Sequence, residues 1–571
     1  MGNLRERVLG VYRTIVTIFF LAIITLICAY NATSTAYLIN WEHTVYVKDS
    51  IFWNLIAAVG FVVILYFFAD SKYFCSLKKA TLSEDTFQKW KYRIIISIFL
   101  VSSIWALSTQ FIPGVDEYAV QSIVREALNG DFHSFEPMAY MDLYPNQWGF
   151  FLFSYFIALV FGGMNYIVLE LVIAMAIAFS FKELSELASL IGVGRVGQLS
   201  VLVIGLLYVP FSLYSEMVYG NMLGVMFSLA AIKHEMLFFK FGRKQHLIKT
   251  AIYIALGALL KSNMQIFFLA IVFSGLINIL KMPKRAFCLL AAVITAYAVQ
   301  SFGVAAIIRY MTGCQLESPI TPFAWVAMGL QDGDLAPGWW NSYTVNSYYE
   351  CGGNTVLHSL MVKANIKESI MAFLEAPSSG VEFFTKKILS TWTNPTFQCF
   401  GTVRNGAYIE TPKWVDIILS YQAQRIIAYY LNVFSFLIYF GALLFIGLSN
   451  LKNTDKLILP MVFIGGFLFH LLWETKARYA LMYYIVLIPC AIRGYSCAVD
   501  FLRRIIKREN SSILLCDSNV KIRIFVVLMA VLAFTYLYAG RFGYILLQDT
   551  DTYKEYMQTA SWSEHTTFMG Q

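Results

Sequence analysis

Asp116 and Glu117 stand side by side in IPGVDEYAVQSIVREALNGD, Glu216 sits in YSEMVYGN, Lys261 in LLKSNMQIF, and Glu474, Lys476 and Arg478 in WETKARYALMYY. Two adjacent carboxylates in a partly desolvated site push their pKa values apart, so that one stays ionised and can take a proton. A guanidinium offers an anion a bidentate fork, and a lysine offers it a point charge. Together these residue types can hold an anion and accept a proton beside it. Each has a structural reading when taken alone. Asp116 and Glu117 suit the N-terminus of an amphipathic helix with Val120, Ile123, Val124 and Leu128 on its apolar face, and Lys476 and Arg478 suit interfacial anchoring. Glu216 suits an exposed loop, Asn263 an interhelical hydrogen bond, and Tyr144, Pro145, Asn146, Gln147 and Trp148 a turn with a belt aromatic. The isolated His133 and His470 read as structural.

These charges gain weight because the chain has so few. It has 571 residues, 58% hydrophobic and 14% charged, whereas a soluble domain devotes about a quarter of its residues to Asp, Glu, Lys and Arg. That excludes an ordinary soluble enzyme. The excess of 43 basic over 35 acidic residues falls in short runs between apolar stretches, the pattern of cytoplasmic loops rather than of nucleic-acid binding. Nine cysteines without a C-x-x-C pair give no metal or redox signature.

Apolar stretches at about 20 residues per span occur near 13–31, 51–69, 93–111, 148–181, 199–215, 217–232, 249–280, 286–308, 425–447, 457–473, 480–495 and 522–541. The first follows Arg5, Arg7 and Arg13 and lacks a small-residue cleavage site, so it reads as a retained span with its N-terminus inside. Lysines at 72, 78, 79, 89 and 91, the run Lys233 to Lys249, the run Lys281 to Arg285, and Arg493, Arg503, Arg504, Lys507, Arg508 and Lys521 mark the other inner linkers.

Residues 249–280 would be about 48 Å long as one helix, against a core of about 30 Å, and they are basic at both ends. They read as a hairpin with Lys261, Ser262 and Asn263 at its outer apex, which also spares Lys261 a mid-bilayer position costing roughly 2.5–3.5 kcal/mol. Parity across 148–181 needs an interfacial or re-entrant piece at 148–162 and a crossing at 164–181. The sum is about 13 crossings with the C-terminus outside.

The chain therefore divides into a two-span extension (1–92), a core module (93–309) with a first outer loop at 112–147, an outer loop subdomain (310–424), a C-terminal module (425–541) and an outer tail (542–571). The loop subdomain holds Trp325, Trp339, Trp340 and Trp392, an amphipathic stretch near 361–374, and Cys314, Cys351 and Cys399, which allow one disulfide. Under this topology Asp116, Glu117, Glu216, Lys261, Glu474, Lys476 and Arg478 all reach the outer boundary, where ionisable groups usually line a cavity and pair there.

An acidic pair after a span, an amphipathic outer helix, a lysine and asparagine at a hairpin apex, and an E-x-x-x-R-Y run entering a late span resemble the GT-C glycosyltransferases. VDEYAVQSIV, YPNQWGFFLF, LLKSNMQIFFLA and WETKARYALMYYIVLIP, spread over 93–495, carry the resemblance. The branch is that of the protein O-mannosyltransferases and aminoarabinose transferases, and TPFAWVAMGL with KILSTWTNPTFQ is similar to cell-envelope members from Gram-positive bacteria. The fold implied is an all-α polytopic bundle. Two additional spans, the extension 1–92, come before the span that the acidic pair follows, whereas the family usually has its pair after the first span, and Glu216 with Tyr219 replaces the aspartate typical of some branches.

The implied activity is transfer of a sugar from a polyprenyl-phosphate donor to an acceptor hydroxyl on the extracytoplasmic face. The acceptor is a cell-envelope glycan, a teichoic acid, a glycolipid or a protein. Asp116 would be the base and Glu117 its neighbour. Arg478, Lys261 and Lys476 would hold the phosphate, while Glu216, Tyr219, Asn263, Glu474, Tyr479, Tyr144, Asn146 and Gln147 would bind substrate. No D-x-D motif or histidine cluster of the kind that the metal-dependent oligosaccharyltransferase branch uses is recognised, so no metal or other cofactor is expected. Membrane lipids are expected partners, and nucleic acid is not. A polysaccharide polymerase or ligase using a lipid diphosphate, with Arg404 and Arg425 as its cations, is the second reading. A lipid or sugar transporter or flippase is the third, although no internal repeat supports it.

Overall fold

The computed structural model describes residues 2–39, 43–314, 320–400, 404–449, 451, 454–506, 518–537 and 543–559. Lys507, Arg508, the Lys521 side chain and the part of the expected outer tail beyond 559 lie outside the described residues.

The chain is a multi-pass helical membrane protein. Among the described residues, eight helices are long and apolar enough to cross a bilayer, or up to ten if two bent pairs are each one span. The bent pairs are Arg195–Leu207 with Val209–Glu216, turned by 60°, and Ala477–Tyr484 with Leu487–Ile506, turned by 52°. Shorter or more charged helices, Tyr166–Leu190 and Lys244–Leu260, fill the bundle between them.

Charged linkers meet at one end of the bundle. Lys91 pairs with Glu186 at 2.6 Å and Lys233 with Glu183 at 2.5 Å. Arg195 reaches Glu84 at 2.5 Å, Arg503 reaches Asp70 at 2.5 Å, Arg285 donates to Phe239 O and Arg493 to Gly192 O. The helices Lys244–Leu260 and Gln265–Ile279 form a hairpin, because Arg285 and Lys281 just beyond it return to the same end that holds its start. Lys261 is therefore at the opposite end.

Trp148–Phe161 is too short to cross and runs beside the surface helix Val115–Leu128, with Gly163 packed on Arg125 and Leu128. Its start lies near the Lys261 end, where Gly149 packs on Leu259, and the separate helix Tyr166–Leu190 follows it.

Two short antiparallel sheets depart from the all-α expectation. The first joins β1 (Ser34–Ile39) and β2 (His43–Lys48), from Ser34 opposite Lys48 to Ile39 opposite His43. The second joins β3 (Phe111–Pro113) to β4 (Arg404–Ala407) from the large loop. The first sheet gives the N-terminal extension a task. Thr44 N donates to Leu335 O at 2.9 Å, Tyr46 N to Asp549 of the C-terminal helix Gly543–Thr559, and Tyr37 stacks on Tyr553 at 4.6 Å. It thus ties the large loop to the tail. Among the described residues no disulfide forms, and Cys314, Cys351 and Cys399 are each packed separately.

The helices Tyr421–Leu448 and Leu487–Ile506 cross in close contact at Gly494, where an added Cβ would lie 1.9 Å from Gly441 O and 2.6 Å from Phe445 N. Gly494→Ala is therefore expected to destabilise the purified protein by roughly 1–3 kcal/mol, the usual cost of overpacking, read as a lower melting temperature in detergent. Gly447→Ala, which meets nothing within 4 Å, should leave it unchanged.

Candidate functional site

β3 delivers the chain to Gly114 and Val115, the latter held at φ 48°, and the helix Val115–Leu128 starts at once with Asp116 and Glu117 in its first turn. That places two carboxylates on a helix N-terminus, where the dipole favours negative charge. Asp116 Oδ1 accepts from the Tyr140 hydroxyl at 2.9 Å, and Tyr140 packs on Tyr144 at 5.0 Å. Glu117 is 8% exposed. Burial raises its pKa to about 7, against the pull of Arg478 and with a push from Asp116. Glu474 is raised to about 7 as well, by burial and against Lys476, Arg478 and Lys261.

Lys261 is 8% exposed at the hairpin apex. Its ammonium lies 4.0 Å from the centre of the Tyr219 ring and 5.6 Å from that of Tyr479, a cation held between two aromatic faces. Tyr479 in turn lies 5.7 Å from the Arg478 guanidinium and stacks on His470 at 5.9 Å. Gln147 bonds to the Tyr219 hydroxyl, and Asn263 O accepts from Tyr483 at 2.9 Å. Glu216 is buried and accepts from Trp105 Nε1 at 3.0 Å.

The structure thus brings Asp116, Glu117, Glu216, Lys261, Glu474, Arg478, Tyr144, Gln147, Tyr219, Asn263 and Tyr479 together from separate parts of the chain. Two expected residues sit differently. Lys476 is turned to the Trp339 ring at 5.8 Å, and Asn146 is exposed beside the site. His133 is exposed and paired with Asp131, which raises its pKa. Trp339 is buried in the large loop, with its indole bonded to Ser390, whereas Trp340 is 46% exposed. Arg425 lies over the Tyr429 ring, and nothing is said of the Arg404 side chain.

No family model and no curated protein matches the chain. Among solved structures it is similar to the archaeal oligosaccharyltransferase AglB from Archaeoglobus fulgidus, in complex with an inhibitory peptide and a dolichol-phosphate. The TM-score is 0.37 and the identity 13%, over 81% of this chain and 56% of that one. This chain thus spans a little over half of that neighbour's length.

Three contributors escape a reading of the sequence. Trp105 holds Glu216, Tyr140 holds Asp116, and Gln398 Oε1 accepts from Arg478 N at 3.2 Å. Phe397 and Gln398 are held at φ 48° and 63°, and the other left-handed non-glycine residues, Gln110, Val115, Met138, Met164 and Ser342, also lie in connections at this end. Backbone strain of this kind persists only where the surroundings impose it.

Glu117 gives a pH signature. A carboxyl whose folded pKa exceeds its unfolded value binds more protons when folded, so its contribution to stability falls as pH rises from the unfolded pKa of 4.5 to the folded value of about 7. Glu117→Gln should gain stability relative to wild type across that window and keep the gain above it. Melting temperatures measured between pH 5 and 8 check this, and parallel curves would refute it.

Proposed function

We propose that this protein is a GT-C-type glycosyltransferase that moves a monosaccharide from a polyprenyl-phosphate donor to an acceptor hydroxyl on the extracytoplasmic face. The observation that carries the reading is the cluster itself. A carboxylate oriented by Tyr140 shares one boundary site with Lys261 and Arg478, at the end of a bundle whose flanks are apolar. About 13 crossings, counting the short and bent helices, with the basic linkers inside, would set this site outside.

The chemistry follows from charge. Asp116 takes the proton of the acceptor hydroxyl as its oxygen attacks the anomeric carbon and the bond to the carrier phosphate breaks. The departing phosphate gains negative charge, which Arg478 meets with a guanidinium fork and Lys261 with a point charge. One base facing one leaving group corresponds to a single displacement with inversion. Tyr140 fixes the Oδ1 atom of Asp116 without removing its charge. Glu117, titrating near neutrality, adjusts the repulsion that Asp116 experiences. The carrier's apolar tail would lie along the lipid-facing helices. Tyr144, Gln147, Tyr219, Asn263, Glu216 and Glu474 would line the sugar and acceptor positions, with Lys476 supporting from the loop side.

The test uses the full chain reconstituted with a polyprenyl-phosphate sugar, after loss of one envelope glycan substituent in a deletion strain has named the acceptor. Asp116→Asn should reduce transfer by about 10² or more, the usual share of a general base, with carrier binding kept. Arg478→Ala should weaken binding of the polyprenyl phosphate by roughly tenfold or more, the scale of a lost charge-assisted hydrogen bond. Transfer by Asp116→Asn within about tenfold of wild type would remove the base assignment. Unchanged binding and turnover in Arg478→Ala would remove the phosphate role.

A further inference from the structure

Lys387 lies on the helix Pro377–Trp392 of the large loop and is 1% exposed. A lysine is almost never fully buried unless it is paired. Its Nζ donates to Gly329 O at 2.5 Å and to Trp473 O at 2.9 Å. Those carbonyls belong to different parts of the chain, one at the end of the helix Phe323–Gly329 and one in the link before Glu474. Glycine makes the approach feasible. A Cβ on Gly338, held at φ 72°, would lie 2.6 Å from Lys387 Cε and 2.7 Å from its Nζ, and one on Gly329 would lie 2.5 Å from the Trp473 carbonyl carbon.

The same short link is held at every step. Glu474 N donates to Trp325 O at 3.0 Å and Thr475 N to Gly338 O at 2.9 Å, while the Thr475 and Thr391 hydroxyls lie 3.1 Å apart. Lys476 then follows in extended conformation, and the helix carrying Arg478 begins. Burial lowers the Lys387 pKa to about 7, while Glu474 draws it upward. The amine is therefore retained at a cost in desolvation, for which two carbonyl acceptors are the visible return.

We propose that Lys387 is a positioning residue for the anion-binding segment: by fastening the large loop to the Trp473–Thr475 link, it sets where Arg478 meets the donor phosphate. The proposal rests on the reading of Arg478 as a phosphate ligand. Lys387 bonds to two carbonyls and acts through the segment it holds.

Binding of a long-chain polyprenyl monophosphate to the full chain in lipid nanodiscs tests it, with wild type, Lys387→Met, Arg478→Ala and the double variant. Methionine keeps most of the apolar stem and removes the donors. Lys387→Met should weaken binding by roughly tenfold or more and should add little to Arg478→Ala, since the two act through one contact. Equal losses in both backgrounds would show a general structural role and overturn the proposal.

Wild-type binding that falls with Arg478→Ala but not with Lys387→Met would overturn this proposal while leaving the phosphate site standing. A wild type that does not bind the probe would remove the functional reading, and this proposal with it. Should Lys387→Met fail to fold, Thr391→Val decides in its place. It loosens the same link through Thr475, so it should weaken binding in the wild-type background alone, and an unchanged affinity would overturn the proposal.

Discussion

The constraint that orders this molecule is the cost of holding charge beside hydrocarbon. An ionised side chain at the bilayer centre costs roughly 2.5–3.5 kcal/mol on insertion scales, so each charge must reach an end of the bundle and find partners there. The Lys261 hairpin is one answer. Splitting 249–280 into two short arms brings its lysine to a boundary, where two tyrosine rings and nearby carboxylates receive it. The bend between Arg195–Leu207 and Val209–Glu216 delivers Glu216 to Trp105, and the break between Leu472 and Ala477 leaves Glu474 outside a helix and Arg478 in the first turn of the next. Helices that look too short or too broken for a bilayer are the ones that position the site.

Much of this was legible because it depends on composition and period. Basic linkers marked one end, and the length of 249–280, with its basic flanks, forced the hairpin. Parity called for a separate piece at 148–162, and the structure has a helix break at both places. The polar contacts between distant segments were not legible. Trp105 is one aromatic among many in an apolar span, and its indole is directed to Glu216 only by packing 111 residues away in sequence. Lys387 sits in a sequence that looks like an ordinary amphipathic helix, since nothing local shows that two carbonyls from remote segments close on it. The β1–β2 sheet was missed because strands of six residues between long apolar helices carry too little pattern to compete with the helical signal.

The large loop and the N-terminal extension acquire a shared logic from these contacts. β4 pairs with β3 immediately before Asp116, Gln398 meets Arg478, and Trp325 and Gly338 fix the link before it. The loop subdomain therefore braces both the acidic and the cationic segments of the site. β2 in turn braces that loop through Leu335, and itself rests on the C-terminal helix. The strut between the first two long helices thus reaches the site through the loop.

The two ends of the bundle also treat charge in different ways. At the basic end, lysines and arginines meet carboxylates directly, as in the Lys91, Lys182 and Lys233 pairs with Glu183 and Glu186. A direct pair neutralises both members and fixes the helices that carry them. At the site end a phenol on Asp116, an indole on Glu216 and two ring faces on Lys261 add neutral contacts beside the charges of Arg478, Glu117 and Glu474. A neutral donor or ring orients a charge without cancelling it. In a medium of low dielectric, such an oriented charge exerts its field on whatever enters beside it. Burial then keeps Glu117 and Glu474 near neutrality in pKa, which limits the repulsion among the acids.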